Sequence, residues 1–216
     1  MHKLVRTQEP SELTQARADE IPDWDHFPGK AKKAVRDELL LMQNFRCAYC
    51  ERKLHDASSE EEDKWDGHIE HFRRKARDFY PELTFVWDNL FYSCKTGATC
   101  GRYKDHHIDN PEQKEHYNLL IDPCKDNPED FLAFDDRGNI FVRSNLSEED
   151  KKRAEFTMKA FRLDDTVLTQ ERRACLKKHE WMKNYPVEDI KNYLAYLRDE
   201  PFVTAIFHYF GERVVS

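Results

Sequence analysis

The sequence predicts an α+β fold: a small centre of short strands held by four cysteines, set between N- and C-terminal helices, with a small extra hairpin. Three observations predict it. Four of the six Cys fall in two local clusters, Cys47/Cys50 and Cys94/Cys100. Residues 30–46 and the chain beyond Ser147 carry helical apolar spacing and helix-start signals. Between them lie short aromatic and β-branched runs separated by turn residues. At 216 residues the chain suits one domain whose core needs no disulfides. We divide it into an N-terminal helical lead-in (1–43), a motif-bearing centre (44–118), and a hairpin plus C-terminal helical region (119–216), together forming one continuous domain.

The first 30 residues mix charge with Pro10, Pro22 and Pro28 and read as irregular or briefly helical. Ala34, Val35, Leu39, Leu40, Leu41 and Phe45 then give a helical face that ends at the first Cys pair. Residues 56–66 form an acidic loop. His68–Phe72, after Gly67, reads as a strand, and 84–94 is rich in aromatic and β-branched residues. Residues 101–118 read as a polar loop with His106, His107 and His116. Residues 131–134 and 139–143 read as two strands around a turn at Asp136-Arg137-Gly138. Ser147, followed by three acids, starts a helical tail of two or three helices broken near Asp164-Asp165, Pro186 and Pro201.

Composition narrows the classes of function. Charged residues make up 36% of the chain and the net charge is −7, which argues against a protein that coats nucleic acid with its whole surface. It leaves room for a local basic site. No apolar run approaches the ~20 residues of a membrane helix, and the start of the chain lacks the apolar stretch of a signal peptide. A cytoplasmic protein is therefore expected. In such a compartment thiols stay reduced, and clustered Cys point to metal.

Cys47-Ala48-Tyr49-Cys50 has the C-x2-C spacing of a zinc knuckle, and Cys94 and Cys100 supply a second, looser pair around Gly97. All four positions of such a zinc are filled by protein, so its role is structural. Cys124 and Cys175 read as buried thiols without partners. Between the pairs stand Glu70-His71 and, further on, Asn89. Phosphodiester hydrolysis needs a base for water and a cation for the leaving oxygen. A neutral His suits the first, and a carboxylate holding Mg²⁺ or Mn²⁺ supplies the second. An Asn amide can hold the His in the right tautomer. His68, two residues from Glu70, shares its face if the segment is a strand. His55 and His116 read as surface residues.

The ordered pieces FRCAYCE, HIEHFRRK, WDNLFYSC and CGRYKDHH, with LLIDP and DNPEDFLAF after them, resemble the HNH (ββα-metal) endonucleases. Within that family they resemble the nuclease subunits of Septu-type and retron-associated anti-phage systems. The resemblance covers residues ~44–138, and it implies a β-hairpin and helix gripping one divalent ion. It implies His71 as general base, Asn89 as its orienting residue and Glu70 as the first metal ligand. Relatives often carry Asn after the fourth Cys, where this chain has Gly101, so the last ligand moves to His107 or His106, or to an Asp among 105–107. Arg74 also stands where relatives often have Pro. The resemblance implies a PtuA-like ATPase partner and, in retron systems, a reverse transcriptase with its multicopy single-stranded DNA. The charged C-terminal helices are an expected docking surface.

Residues 67–107 contain seven Lys/Arg against five acids, so the centre is basic inside an acidic chain. Arg73, Arg74, Lys75 and Lys104 are the expected phosphate contacts. Two other readings remain at this point: a zinc-ribbon-like module for nucleic acid or protein with a degenerate HNH site, and a stand-alone restriction-like nuclease without an ATPase.

Overall fold

The structure, a computed structural model, describes residues 1–55, 59–197 and 200–214, the last three by backbone alone. The lead-in holds two helices, α1 (Ser11–Ala18) and α2 (Gly29–Met42). α2 turns Val35, Leu39, Leu40 and Met42 inward, as its apolar spacing requires. It ends before Asn44 and Phe45, both in left-handed backbone, and the chain reverses into the first Cys pair. The Gln43 side chain fastens this end to the centre. Its amide donates to the Tyr92 carbonyl at 2.8 Å and its oxygen accepts from the Tyr92 N–H at 2.8 Å, as a neighbouring strand would.

The centre is a strand, a second strand and a helix in chain order. β1 (Gly67–His71) pairs antiparallel with β2 (Leu90–Cys94), Gly67 opposite Cys94 and His71 opposite Leu90. Every β2 residue is buried, so no alternating pattern marks it. α3 (Cys100–His107) follows and contacts β2. The polar loop expected over 101–118 is corrected here: α3 and a run of tight turns over Pro111–Leu119 fill it. The inward residues of α3 are Cys100, Gly101 and Lys104. A helix whose buried face carries no large apolar side chain leaves no hydrophobic period to read.

The expected hairpin is present, β3 (Leu132–Phe134) against β4 (Ile140–Val142). Its turn uses Gly138 at φ +82°, and the Asp135 carboxylate accepts from the Arg137 and Asn139 N–H groups. The tail holds α4 (Glu148–Ala160), α5 (Thr166–His179), α6 (Val187–Tyr196) and α7 (Val203–Val214). Ser147 and Asp165 accept from the first-turn N–H groups of α4 and α5. Pro186 precedes α6 and Pro201 precedes α7, and neither residue is carried inside a helix. Of the acidic loop, residues 56–58 lie outside the described residues; the rest includes a single tight turn, Glu62–Lys64. No helix among the described residues is long and apolar enough to cross a membrane.

One hydrophobic cluster runs through all of this, from Leu13 and Leu39 through Tyr49 and Phe91 to Phe161 and Phe210. Tyr49, inside the C-x2-C turn, stacks on Phe161 with ring centroids 4.0 Å apart. An aromatic of that size buries ~150–250 Å², so the Cys47–Cys50 turn is anchored by packing as well as by its sulfurs.

Candidate active site and metal centre

The turn after α2 brings Cys47 and Cys50 to the end of β2, which carries Cys94, and to the first turn of α3, which carries Cys100. The four sulfurs are buried free thiols and lie within 4.8 Å of one another. A tetrahedral zinc with sulfurs at ~2.3 Å sets them ~3.8 Å apart; Cys50 and Cys94 stand 3.9 Å apart. The set is therefore compatible with zinc. The backbone is bent to aim it. Glu51 and Cys100 both sit in left-handed backbone, at φ 66° and 62°, a conformation costing roughly 1–3 kcal/mol for a non-glycine residue. Hydrogen bonds from Cys100, Cys47 and Cys50 hold the Cys94 thiol well below its ordinary value. Burial pushes Cys50 and Cys100 up.

β1 places the acid and the imidazole. Its two-residue period puts His68 and Glu70 on one face, with His68 Nε2 3.1 Å from Glu70 Oε2. Glu70 is buried, and its Oε1 faces Lys104 Nζ at 2.5 Å. Burial opposes ionisation of Glu70, but Lys104 and His68 outweigh it and bring the carboxyl down to about 2. Lys104 is corrected as a phosphate contact. It is 0% exposed, donates to the carbonyls of His71 and Phe72 at 2.7 and 2.8 Å, and faces Asp105 Oδ1 at 3.1 Å. An ammonium so enclosed cannot reach a nucleic-acid backbone. Gly101 packs directly on Glu70: a Cβ there would overlap the carboxyl group.

His71 ends β1 and is buried. Its Nε2 meets the Thr84 carbonyl at 3.0 Å. A carbonyl only accepts, so the ring proton sits on Nε2 and Nδ1 carries the lone pair. The edge of the ring system packs against Trp24 with centroids 4.8 Å apart. Burial, aided by Lys75, pushes the imidazole down to about 3, so it is neutral at ordinary pH. Asn89 does not touch this ring. Its amide oxygen accepts from the Arg73 N–H at 2.7 Å, and its nitrogen donates to the carbonyls of Arg73 and Leu83 at 2.9 and 3.2 Å. It thus ties both ends of the 73–83 loop, and Thr84, which holds His71, is the next residue.

A cavity of about 430 Å³ opens beside these groups. Residues 68–71, Trp24, Thr84 and Asp105 line it, with Arg74, Lys75 and Arg102 supplying cations. Arg73 faces elsewhere: it bonds Asn118 Oδ1 and lies over Tyr80. His107 and His106 are corrected as ligand candidates. Both are exposed at the end of α3 and absent from the cavity lining, and His107 stacks toward Tyr103 and Phe156. Asp105 faces the cavity instead, one turn beyond Gly101 on the same helix face. Arg102 is not among the expected contacts; recognising α3 as a helix would have placed it. The Thr84 carbonyl has no sequence signal, because any residue supplies one.

No family model matches the chain. Among curated proteins it is similar to Septu protein PtuB of Bacillus mycoides (strain KBAB4), with 29% identity over 208 residues, covering 87% of this chain and 66% of the relative. A Septu protein PtuB of Bacillus thuringiensis is 34% identical over 134 residues, 61% of this chain and 46% of the relative. A Vibrio cholerae serotype O1 biovar El Tor protein named "Retron Vc95 putative HNH endonuclease" is 28% identical over 147 residues, 66% of this chain and 63% of the relative. The chain thus spans from about half to about two thirds of the length of these relatives. It resembles PtuB and, by the names these relatives carry, an HNH nuclease.

Proposed function

We propose that this chain is a metal-dependent HNH endonuclease hydrolysing nucleic-acid phosphodiester bonds. We propose further that it is the nuclease subunit of an anti-phage complex of Septu or retron type, alongside a PtuA-like ATPase. A retron reverse transcriptase and its multicopy DNA are partners on the same reading. One observation carries the nuclease reading: a neutral imidazole, its tautomer set by the Thr84 carbonyl, stands beside a charged Glu70 in a cavity rimmed by Arg74, Lys75 and Arg102.

In that reading His71 accepts a proton from water at Nδ1. Asn89 is a positioning residue that acts through the loop carrying Thr84. Arg74, Lys75 and Arg102 hold the phosphate backbone. The donor set suits a divalent cation that takes the place of the Lys104 ammonium: Glu70 Oε1 and Asp105 Oδ1 both face that ammonium, at 2.5 and 3.1 Å, and His68 Nδ1 is buried without a hydrogen bond. Glu70 and Asp105, with His68 beside them, would hold Mg²⁺ or Mn²⁺. When bound, such an ion supplies positive charge for the phosphorane and the leaving oxygen. The four cysteines would hold a separate structural zinc.

The test uses the full chain with Mg²⁺ or Mn²⁺, with the ATPase added, on DNA and on RNA. His71→Ala should lose cleavage by ~10²–10⁴-fold with zinc content and circular dichroism unchanged. Equal cleavage by the variant removes His71 from the mechanism. Co-purification with the ATPase tests the partner, and loss of capture on reversing exposed charges of the C-terminal helices, Lys151→Glu with Lys152→Glu, would place the docking surface there.

One observation favours a second reading. The Lys104 ammonium already lies between Glu70 and Asp105, and Gly101 offers no ligand. A site that carries its own cation suits a nucleic-acid-binding module that does not cut. Mn²⁺ titration separates the two: a nuclease binds the ion and Glu70→Ala loses it, whereas the binding module shows no difference.

A further inference from the structure

Cys175 does not stand alone in the fold. It and His179 are one turn apart on α5 and buried, at 3% and 4% exposure, and Cys175 Sγ is 4.0 Å from His179 Nε2. Glu200, in the turn before α7, adds a carboxylate, so that one donor atom from each of the three lies within 4.8 Å of the others. A tetrahedral ion with sulfur at ~2.3 Å and nitrogen at ~2.0 Å sets those two donors ~3.6 Å apart, a few tenths closer than they stand.

The surroundings favour a ligand set over a chance meeting. The Tyr193 hydroxyl, from α6, is 2.7 Å from His179 Nδ1. That bond takes one ring nitrogen and leaves Nε2 as the nitrogen turned to the sulfur, which is how metal-ligating imidazoles are oriented. Among the described residues the Glu200 carboxylate forms no hydrogen bond or ion pair. The Cys175 thiol donates to the Pro201 carbonyl at 3.5 Å, a weak bond that deprotonation would release. Thiolate, imidazole and carboxylate together select a borderline ion of the zinc class over Mg²⁺ or Ca²⁺.

We propose that Cys175, His179 and Glu200 form a second zinc-class site, apart from the four-cysteine cluster, with a fourth position left for water or a small ligand. Loading exchanges the Cys175 thiol proton for the ion, while the neutral imidazole gives up none. The ion would tie α5 to the segment entering α7. That segment is also bonded to the first centre, since the Phe202 and Thr204 N–H groups donate to the Glu51 carbonyl and carboxylate, next to Cys50.

The experiment loads the full chain with Zn²⁺ alone, removes free ion by gel filtration and counts bound metal. The wild-type chain should hold about one zinc ion more than Cys175→Ser or His179→Gln, while Cys94→Ser keeps this one. Equal zinc in wild type and both α5 variants overturns the proposal. Where the variants do not fold, X-ray absorption of the wild-type protein decides. Two sites average about 2.5 sulfur donors per zinc, with nitrogen and oxygen filling the rest; sulfur alone overturns the second site.

Discussion

Gly101 shows how one missing side chain can be a fitted feature. The Glu70 carboxyl occupies the space a Cβ at 101 would need, so the longer acid on β1 and the bare position on α3 go together. Gly101→Ala should destabilise by about 1–3 kcal/mol through overpacking. Glu70→Asp, one methylene shorter, should recover part of that loss in the double variant. A double-mutant cycle by urea denaturation measures it, and additive effects would show the two positions are independent. The bare position at 101 is legible in the sequence; its reason is not, because it depends on which side chain crosses from the neighbouring strand. Lys104 teaches the same. Its neighbours read as a basic surface, and only the fold shows that two acids and two carbonyls enclose it.

At the scale of elements, the 73–83 loop between the strands does the positioning. Asn89 closes it with three hydrogen bonds to the backbone of residues 73 and 83. Asn89→Ala leaves three part-buried backbone groups without this partner, at about 1 kcal/mol or more in all. If the site cuts as proposed, kcat should fall ~10-fold or more with KM nearly unchanged, because positioning acts on the step and not on substrate contact. A rise in KM alone would assign Asn89 to substrate binding. The elements with their own periodicity or caps were readable: α2 from its apolar face, β1 from its position after Gly67, the β3–β4 hairpin from its turn, α4 from Ser147. α3 was not, since burial of Cys100, Gly101 and Lys104 serves the centre instead of a greasy core. Cys175 was equally opaque, because its neighbours come from α5, α6 and the turn at Glu200.

For the whole molecule, the four-cysteine cluster joins three segments: the turn after α2, the end of β2 and the start of α3. If the cluster holds zinc as proposed, stripping that ion with a chelator should therefore loosen the centre and not merely one loop. Metal in structural sites contributes folding energy directly, so the thermal midpoint should drop by ~10 °C or more on chelation and return on adding Zn²⁺. The Tyr49–Phe161 stack and the cluster around it should preserve helical content meanwhile, read by far-ultraviolet circular dichroism. An unchanged midpoint would mean packing alone holds the fold.

The enclosure of Lys104 also makes it a clock. A primary amine with no exposed surface cannot meet an acylating reagent unless α3 lifts from β1, so its labelling rate reports how often that opening occurs. Exposed lysines such as Lys125 should acetylate at once in the native protein, with Lys104 following only as slowly as the centre breathes. Peptide mass spectrometry over time would read that interval, and a divalent ion that clamps β1 to α3 should lengthen it.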